Sequence, residues 1–251
     1  MATVIIPLPN EDFDPSEVAI SWWVLTRLGH KIVFATPEGE KAHADRVLLY
    51  GQLGFWNFLL GPRDDAVMAY KNMSLSDDFC NPISYRQIEK RDFDGALLPG
   101  GHAKGMRPYL ESGEVQKLVL KMFKSNRPIA AICHGVLVVA RTLDPETGKS
   151  VLYGKKTTGL PRFSERLAYR LTRGKMGDYY LTYPQTTVED EVGEYLASIN
   201  DFRQGPAMIF KDSPITKWLG FTVRDGNYLS ARWPGDAYRF ATTLSGMLNG
   251  N

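Results

Sequence analysis

Short apolar runs bounded by proline, glycine or polar residues alternate along this chain with longer segments whose apolar positions recur at helical spacing. Thr3 to Leu8 reads as a buried strand. Asp14-Pro15-Ser16-Glu17 then places a capping aspartate before a proline at the first helical position, with a glutamate at the third. The helix runs through Val18, Ile20, Trp22, Trp23 and Leu25 until Gly29 stops it. Lys31 to Ala35 is the next strand, so residues 1–36 make one β-α-β unit. From Pro37 to about Lys90 the pattern loosens into polar loops, the aromatics Phe55, Trp56 and Phe58, and one predicted helix over 64–71. Alternation resumes with a strand over 94–99 closed by Gly100-Gly101-His102, a helix from Ser112-Gly113-Glu114 to Lys124, a strand over 128–132 and a helix over 136–143. Short strands are predicted at 151–153 and 156–158 around Gly154, followed by a helix over 164–171. A capped helix start at Thr187-Val188-Glu189-Asp190, a hairpin over 221–231 turning at Asp225-Gly226, and a helix over 236–248 close the chain.

This order of elements predicts the α/β class, as a three-layer, flavodoxin-like sandwich with a mainly parallel sheet and helices on both faces. No repeat, low-complexity tract or linker interrupts it. A single domain over 1–251 is expected, with an insertion or cap at about 38–90.

Composition narrows the function classes. A hydrophobic content of 43% and a charged content of 23% are those of an ordinary globular protein. The +2 net charge, from 30 basic and 28 acidic residues, gives no electrostatic case for nucleic acid or an anionic membrane. No stretch approaches the roughly 20 apolar residues that span a bilayer. Thr3-Val4-Ile5-Ile6 is entered without a signal-like segment, so a cytoplasmic protein acting on a small molecule is expected. Of the two cysteines, Cys80 and Cys133, both are expected free in a reducing compartment, Cys80 as a small apolar residue.

The chemistry concentrates at Ala130-Ala131-Ile132-Cys133-His134-Gly135. An apolar strand ends there on a cysteine followed at once by a helix, the pattern of a sharp elbow that presents a nucleophile. At a helix N-terminus, unpaired N–H groups and the helix dipole favour a thiolate, and the neighbouring imidazole could take the proton. A buried core cysteine is the competing explanation. In open α/β sheets, sites form beyond the carboxyl ends of strands. Three loops qualify: the one after Leu8 leading to Glu17, the Gly100-Gly101 turn, and the Cys133 elbow. Glu17 is equally explained by a capping box. Gly100-Gly101 could supply an oxyanion donor, joined by an N–H from the helix start at His134-Gly135, or could simply be a tight turn. His30, His43 and His102 show no zinc-like spacing, so neither a metal nor a cofactor is expected.

These residues resemble the ThiJ/PfpI superfamily of class I glutamine amidotransferase-like folds. The resemblance rests on Glu17-Val18-Ala19-Ile20, on Gly29 through Pro37, on Asp94-Gly95-Ala96-Leu97-Leu98-Pro99-Gly100-Gly101-His102, and on Ala131-Ile132-Cys133-His134-Gly135. The Asp14-Pro15-Ser16-Glu17 run, the insertion after Pro37 and His102 are similar to the heat-shock chaperone and glyoxalase III branch. The resemblance implies Cys133 as nucleophile, His134 as base, Glu17 as the acid beside the sulfur, and Glu165 as the carboxylate that orients the histidine. It also implies a homodimer. In some members the orienting acid falls where this chain has Arg162, which leaves that assignment open.

The implied activity is conversion of 2-oxoaldehydes such as methylglyoxal to 2-hydroxy acids without glutathione, as a glyoxalase III-like lyase of the D-lactate dehydratase type. The alternative is a stress-response chaperone or cysteine redox sensor, with unfolded client proteins held by the apolar residues between Gly51 and Leu60. Amidotransfer needs a histidine late in the chain, and none follows His134. A peptidase remains open, since Cys-His pairs perform acyl transfer, but nothing suggests a peptide groove and it is the less favoured activity.

Overall fold

In a computed structural model that describes residues 1–250, the strands are β1 (Thr3–Pro7), β2 (Glu11–Phe13), β3 (Lys31–Thr36), β4 (His43–Ala44), β5 (Ile83–Ser84), β6 (Gly95–Leu98), β7 (Ile129–Ile132), β8 (Thr222–Asp225) and β9 (Tyr228–Ala231). Seven of them form one sheet in the order β5-β3-β1-β6-β7-β9-β8, while β2 and β4 pair separately. All neighbours in the large sheet are parallel except the β8–β9 hairpin, which turns at Asp225-Gly226. Strand order reverses between β1 and β6. That is the crevice where α/β sheets place their sites.

The central strands are apolar throughout because both of their faces are covered. Val4, Ile5 and Ile6 of β1, Ala96 to Leu98 of β6, and all of β7 are fully buried. One covering layer holds α1 (Pro15–Arg27), α2 (Asp64–Met73) and, at the end of the chain, Ala237–Leu248, packed side by side. The opposite layer holds α3 (Gly113–Lys124), α4 (Gly135–Arg141) and a helix at Val188–Tyr195, while α5 (Arg162–Met176) lies outside it. In chain order the last two are α6 (Val188–Tyr195) and α7 (Ala237–Leu248). The flavodoxin-like three-layer expectation therefore holds.

Two local expectations do not. Residues 151–154 form a turn, and Thr157 makes only an isolated bridge with Phe202, so the strands expected at 151–153 and 156–158 are absent. β9 is paired on both edges, with β7 and with β8, and Thr158 N–H instead donates to the Ser230 side chain at 2.9 Å. The helix expected at 164–171 runs on to Met176, since no proline intervenes before Gly177, which has a φ of 57° and ends it. Within the stretch expected as an insertion, α2 packs on α1 and β5 joins the main sheet beside β3.

Candidate active site

β7 ends at Ile132 and α4 begins at Gly135, so Cys133 and His134 make the entire turn between strand and helix. Cys133 sits at a φ of 56°, in the left-handed region, which costs a non-glycine residue on the order of 1–3 kcal/mol. The neighbours impose it. Cys133 N–H donates to the Ala231 carbonyl at 3.1 Å, and Gly135 lies so close to β6 that a Cβ there would be 2.2 Å from the Leu98 oxygen.

Glu17, in the first turn of α1, is fully buried beneath this elbow. Its Oε2 accepts the Gly100 N–H at 2.7 Å, while the Asp14 N–H donates to the Gly100 carbonyl at 2.9 Å. Both findings exclude the capping box, since the Asp14 N–H that Glu17 would have accepted is already bonded. Asp14 itself caps α1, accepting from Ser16 and Glu17 N–H. Gly100 is irreplaceable by steric argument: a Cβ would come within 2.7 Å of His134 N and 2.8 Å of Cys133 Cβ. Its N–H is committed to Glu17, so of the Gly100-Gly101 pair expected to supply an oxyanion donor it is not Gly100 that has a free N–H. Gly101 is wedged against the Asp12 carbonyl, 2.5 Å from where its Cβ would stand. Burial first, and the nearby Asp14 second, hold the Glu17 carboxyl well above the ordinary carboxylate range. Asp14 is pushed up to about 6, chiefly by burial. Glu17 is thus displaced toward its protonated form, the one able to donate a proton.

His134 has its Nδ1 3.4 Å from Cys133 Sγ and its Nε2 3.1 Å from Thr182 Oγ1. Thr182 gives its only hydroxyl proton to the His102 carbonyl. It can therefore only accept from His134, which places the imidazole proton on Nε2 and leaves Nδ1 with a lone pair facing the thiol. Arg107 holds this segment from outside by donating to the Thr182 carbonyl at 2.9 Å. Burial, and then His102 and Arg141, lower the His134 pKa well below its usual value. Glu165 Oε1 stands 3.8 Å from His134 Nε2, beyond hydrogen-bond reach, and its Oε2 accepts the Val188 N–H. Burial raises Glu165 to about 7. Both members of this contact are displaced toward their neutral forms, so it is not an ion pair at rest.

The thiol departs from the sequence expectation. Burial, and then the neighbouring carboxyl groups of Glu17 and Asp14, push Cys133 well above the ordinary thiol range, and the His134 N–H at the helix start offsets this only in part. The resting group is a neutral thiol beside a base, not a preformed thiolate. Cys80 is also free but exposed, with Lys41 Nζ 3.5 Å from its sulfur, rather than a packed apolar residue.

The remaining histidines go to different places. His30 bonds Ser245 at the α1–α7 contact and His43 is exposed in β4, whereas His102 stacks edge-on against both His134 and Tyr180. Burial lowers His102 to about 4. The donor atoms of His102, Cys133 and His134 lie within 4.8 Å of one another and, among the described residues, are the group that could hold a soft metal ion. Thr182, Asp14 and His102 as neighbours of the elbow escaped the sequence reading. Thr182 reaches His134 from 48 residues away, and its surroundings, Tyr180-Leu181-Thr182-Tyr183, carry no motif. A cavity of about 650 Å³ adjoins the site, with His102, Glu165 and Asp14 in its wall.

Comparison with known proteins gives a consistent setting for this geometry. The model of the ThiJ/PfpI family-like group matches residues 8–206. Glyoxalase 3 of Candida albicans is 25% identical over 174 residues, 69% of this chain and 62% of that protein. An uncharacterized protein of Schizosaccharomyces pombe is 25% identical over 186 residues, 71% of this chain and 66% of its own length. The chain thus aligns with less than two thirds of either relative. The crystal structure of glyoxalase III from Candida albicans superposes with a TM-score of 0.68 at 20% identity, covering 99% of this chain and 98% of that one.

Proposed function

The chain belongs to the ThiJ/PfpI family-like group, and from that membership we propose that it converts 2-oxoaldehydes to 2-hydroxy acids without glutathione, using Cys133 as nucleophile. The observation that carries this reading is the lone pair of His134 Nδ1 directed at Cys133 Sγ from 3.4 Å. Relatives named as glutathione-independent glyoxalases agree with it.

The chemistry follows from the protonation states. His134 takes the thiol proton and the sulfur bonds to the aldehyde carbon, whose oxygen is protonated by Glu17 to give a hemithioacetal. Returning that proton to the Glu17 carboxylate frees the imidazole for a second transfer. The base then removes the hydrogen on the sulfur-bearing carbon, and the electron pair moves to make an enediol. Reprotonation at the neighbouring carbon yields a 2-hydroxy thioester. Water displaces the thiol, so the balance is one oxoaldehyde plus one water to one 2-hydroxy acid. A single base serves both transfers because the carbon it deprotonates is bonded to the sulfur it faces. Burial raises the wall carboxyl Glu165 to about 7, so below that pH it is mostly protonated and places little negative charge near the enediol. No metal or cofactor enters this scheme. Lactate formation from methylglyoxal by the wild type, lost in Cys133→Ala, is the expected result; undiminished formation by Cys133→Ala overturns it.

A second reading draws on a different observation. Phe55 and Phe58 are 86% and 95% exposed, apolar side chains that a chaperone could present to clients. Suppression of client aggregation that survives Cys133→Ala and disappears in Phe55→Asp/Phe58→Asp would favour it. A cytoplasmic location and a homodimer complete the proposal; no described helix is long and apolar enough to cross a membrane.

A further inference from the structure

The cavity adjoining the site is far larger than a three-carbon aldehyde requires. About 650 Å³ is room for a drug-sized molecule. Its reactive end is defined by Glu165, 3.8 Å from His134, and by His102, one ring nitrogen of which lies within 4.8 Å of Cys133 Sγ. Away from that end the wall is mostly apolar, with Leu160, Phe163, Leu167, Ala168, Met208 and Trp233 among its residues. Lys211, the one cation in the wall, is already engaged by the Gly61 carbonyl, which leaves the wall without a free cation to receive an anionic guest. Two further wall residues, Tyr180 and Trp233, are buried and carry an O–H and an N–H without a partner.

A methyl group would leave almost all of this apolar surface uncovered. We propose that the substrate is a 2-oxoaldehyde whose ketone carbon bears an extended, uncharged apolar group, an aryl ring or a long alkyl chain, which occupies the cavity while the aldehyde carbon meets Cys133. The proposal rests on the glyoxalase reading above and specifies its substrate class. The reaction keeps the same balance, with one water added per oxoaldehyde and the apolar group carried through unchanged. Each methylene moved from water into the cavity favours the long substrate about fourfold in kcat/KM until the space is filled.

The test uses the full chain with methylglyoxal, hexylglyoxal and phenylglyoxal, and compares the wild type with Ala168→Phe, which fills the cavity from α5. Expected is a kcat/KM at least 100-fold higher for hexylglyoxal and phenylglyoxal than for methylglyoxal. In Ala168→Phe the ratio of the two values should fall tenfold or more; taking the ratio on one preparation cancels any loss of folded protein. Turnover of all three aldehydes with no preference for the larger ones overturns the substrate class and leaves the glyoxalase reading standing. Turnover of none of them overturns both.

Discussion

The Nε2 of His134 is held by Thr182 Oγ1 at 3.1 Å, and because Thr182 has spent its proton on the His102 carbonyl, this contact determines which imidazole nitrogen faces the thiol. Thr182 is a positioning residue. Thr182→Val leaves the Nε2 proton without an acceptor, so the tautomer that puts the proton on Nδ1, where it cannot act as a base, gains population. A fall in kcat of roughly 100-fold is expected with little change in KM, and Thr182→Ser should restore most of it. Equal activity of Val and Ser variants would show that the threonine only fills space.

Glu17→Gln separates the acid from the hydrogen bond. The amide oxygen can still accept the Gly100 N–H, so the turn stays in place and thermal stability should change by only a few degrees. Without an acidic proton, kcat should fall on the order of 100-fold or more. Retention of wild-type kcat, measured as lactate formation, would reduce Glu17 to a structural clasp.

Glu165 makes stability depend on pH in a predictable direction. Its carboxyl, ordinarily at 4.5, is raised by burial to about 7. The unfolded chain ionises first as pH rises, so this group's stabilising contribution is whole below pH 4.5 and is lost as pH rises through 7. Glu165→Gln cannot ionise. Its stability relative to wild type should therefore increase between pH 4.5 and 8 by on the order of 3 kcal/mol, measured by urea unfolding at each pH. A difference that is flat with pH contradicts the buried neutral carboxyl. The comparison cancels the other titrating groups, among them His102, whose lowered pKa acts in the opposite sense.

Gly135→Ala tests the close approach that forms the elbow. The added methyl would lie 2.2 Å from the Leu98 oxygen and 2.7 Å from that of Pro99, both backbone atoms of β6 and the turn after it. Neither can yield without moving the strand, so a loss of about 3 kcal/mol or more is expected in urea unfolding. Gly113→Ala, at a position with open space around the missing Cβ, is the control and should be near neutral.

Much of this was legible in the sequence, for identifiable reasons. β1, β6 and β7 announced themselves because strands covered on both faces are apolar without interruption, and α1 because Asp14 and Pro15 signal a helix start unambiguously. Cys133, His134 and Glu17 were found because each lies at an element boundary with a local signature, and the structure brings all three together. The sequence pointed to the Gly100-Gly101 pair for an oxyanion donor but could not show that the Gly100 N–H is already bonded to a glutamate 83 residues away. Thr182 was invisible for the same reason. Its role depends on a loop folding across the elbow, and loops carry no periodicity. The strands expected near Gly154 failed because a short apolar run does not by itself distinguish a strand from a turn, which is what residues 151–154 form.

Gly100 is fastened to α1 on both sides, its N–H by Glu17 and its carbonyl by the Asp14 N–H. The site's acid and its turn are therefore one mechanical unit with the first turn of the helix and the centre of the sheet. Local breathing has no way to loosen one without the other. Amide exchange at Gly100 should accordingly proceed at the rate of whole-molecule opening, far slower than a surface loop would allow.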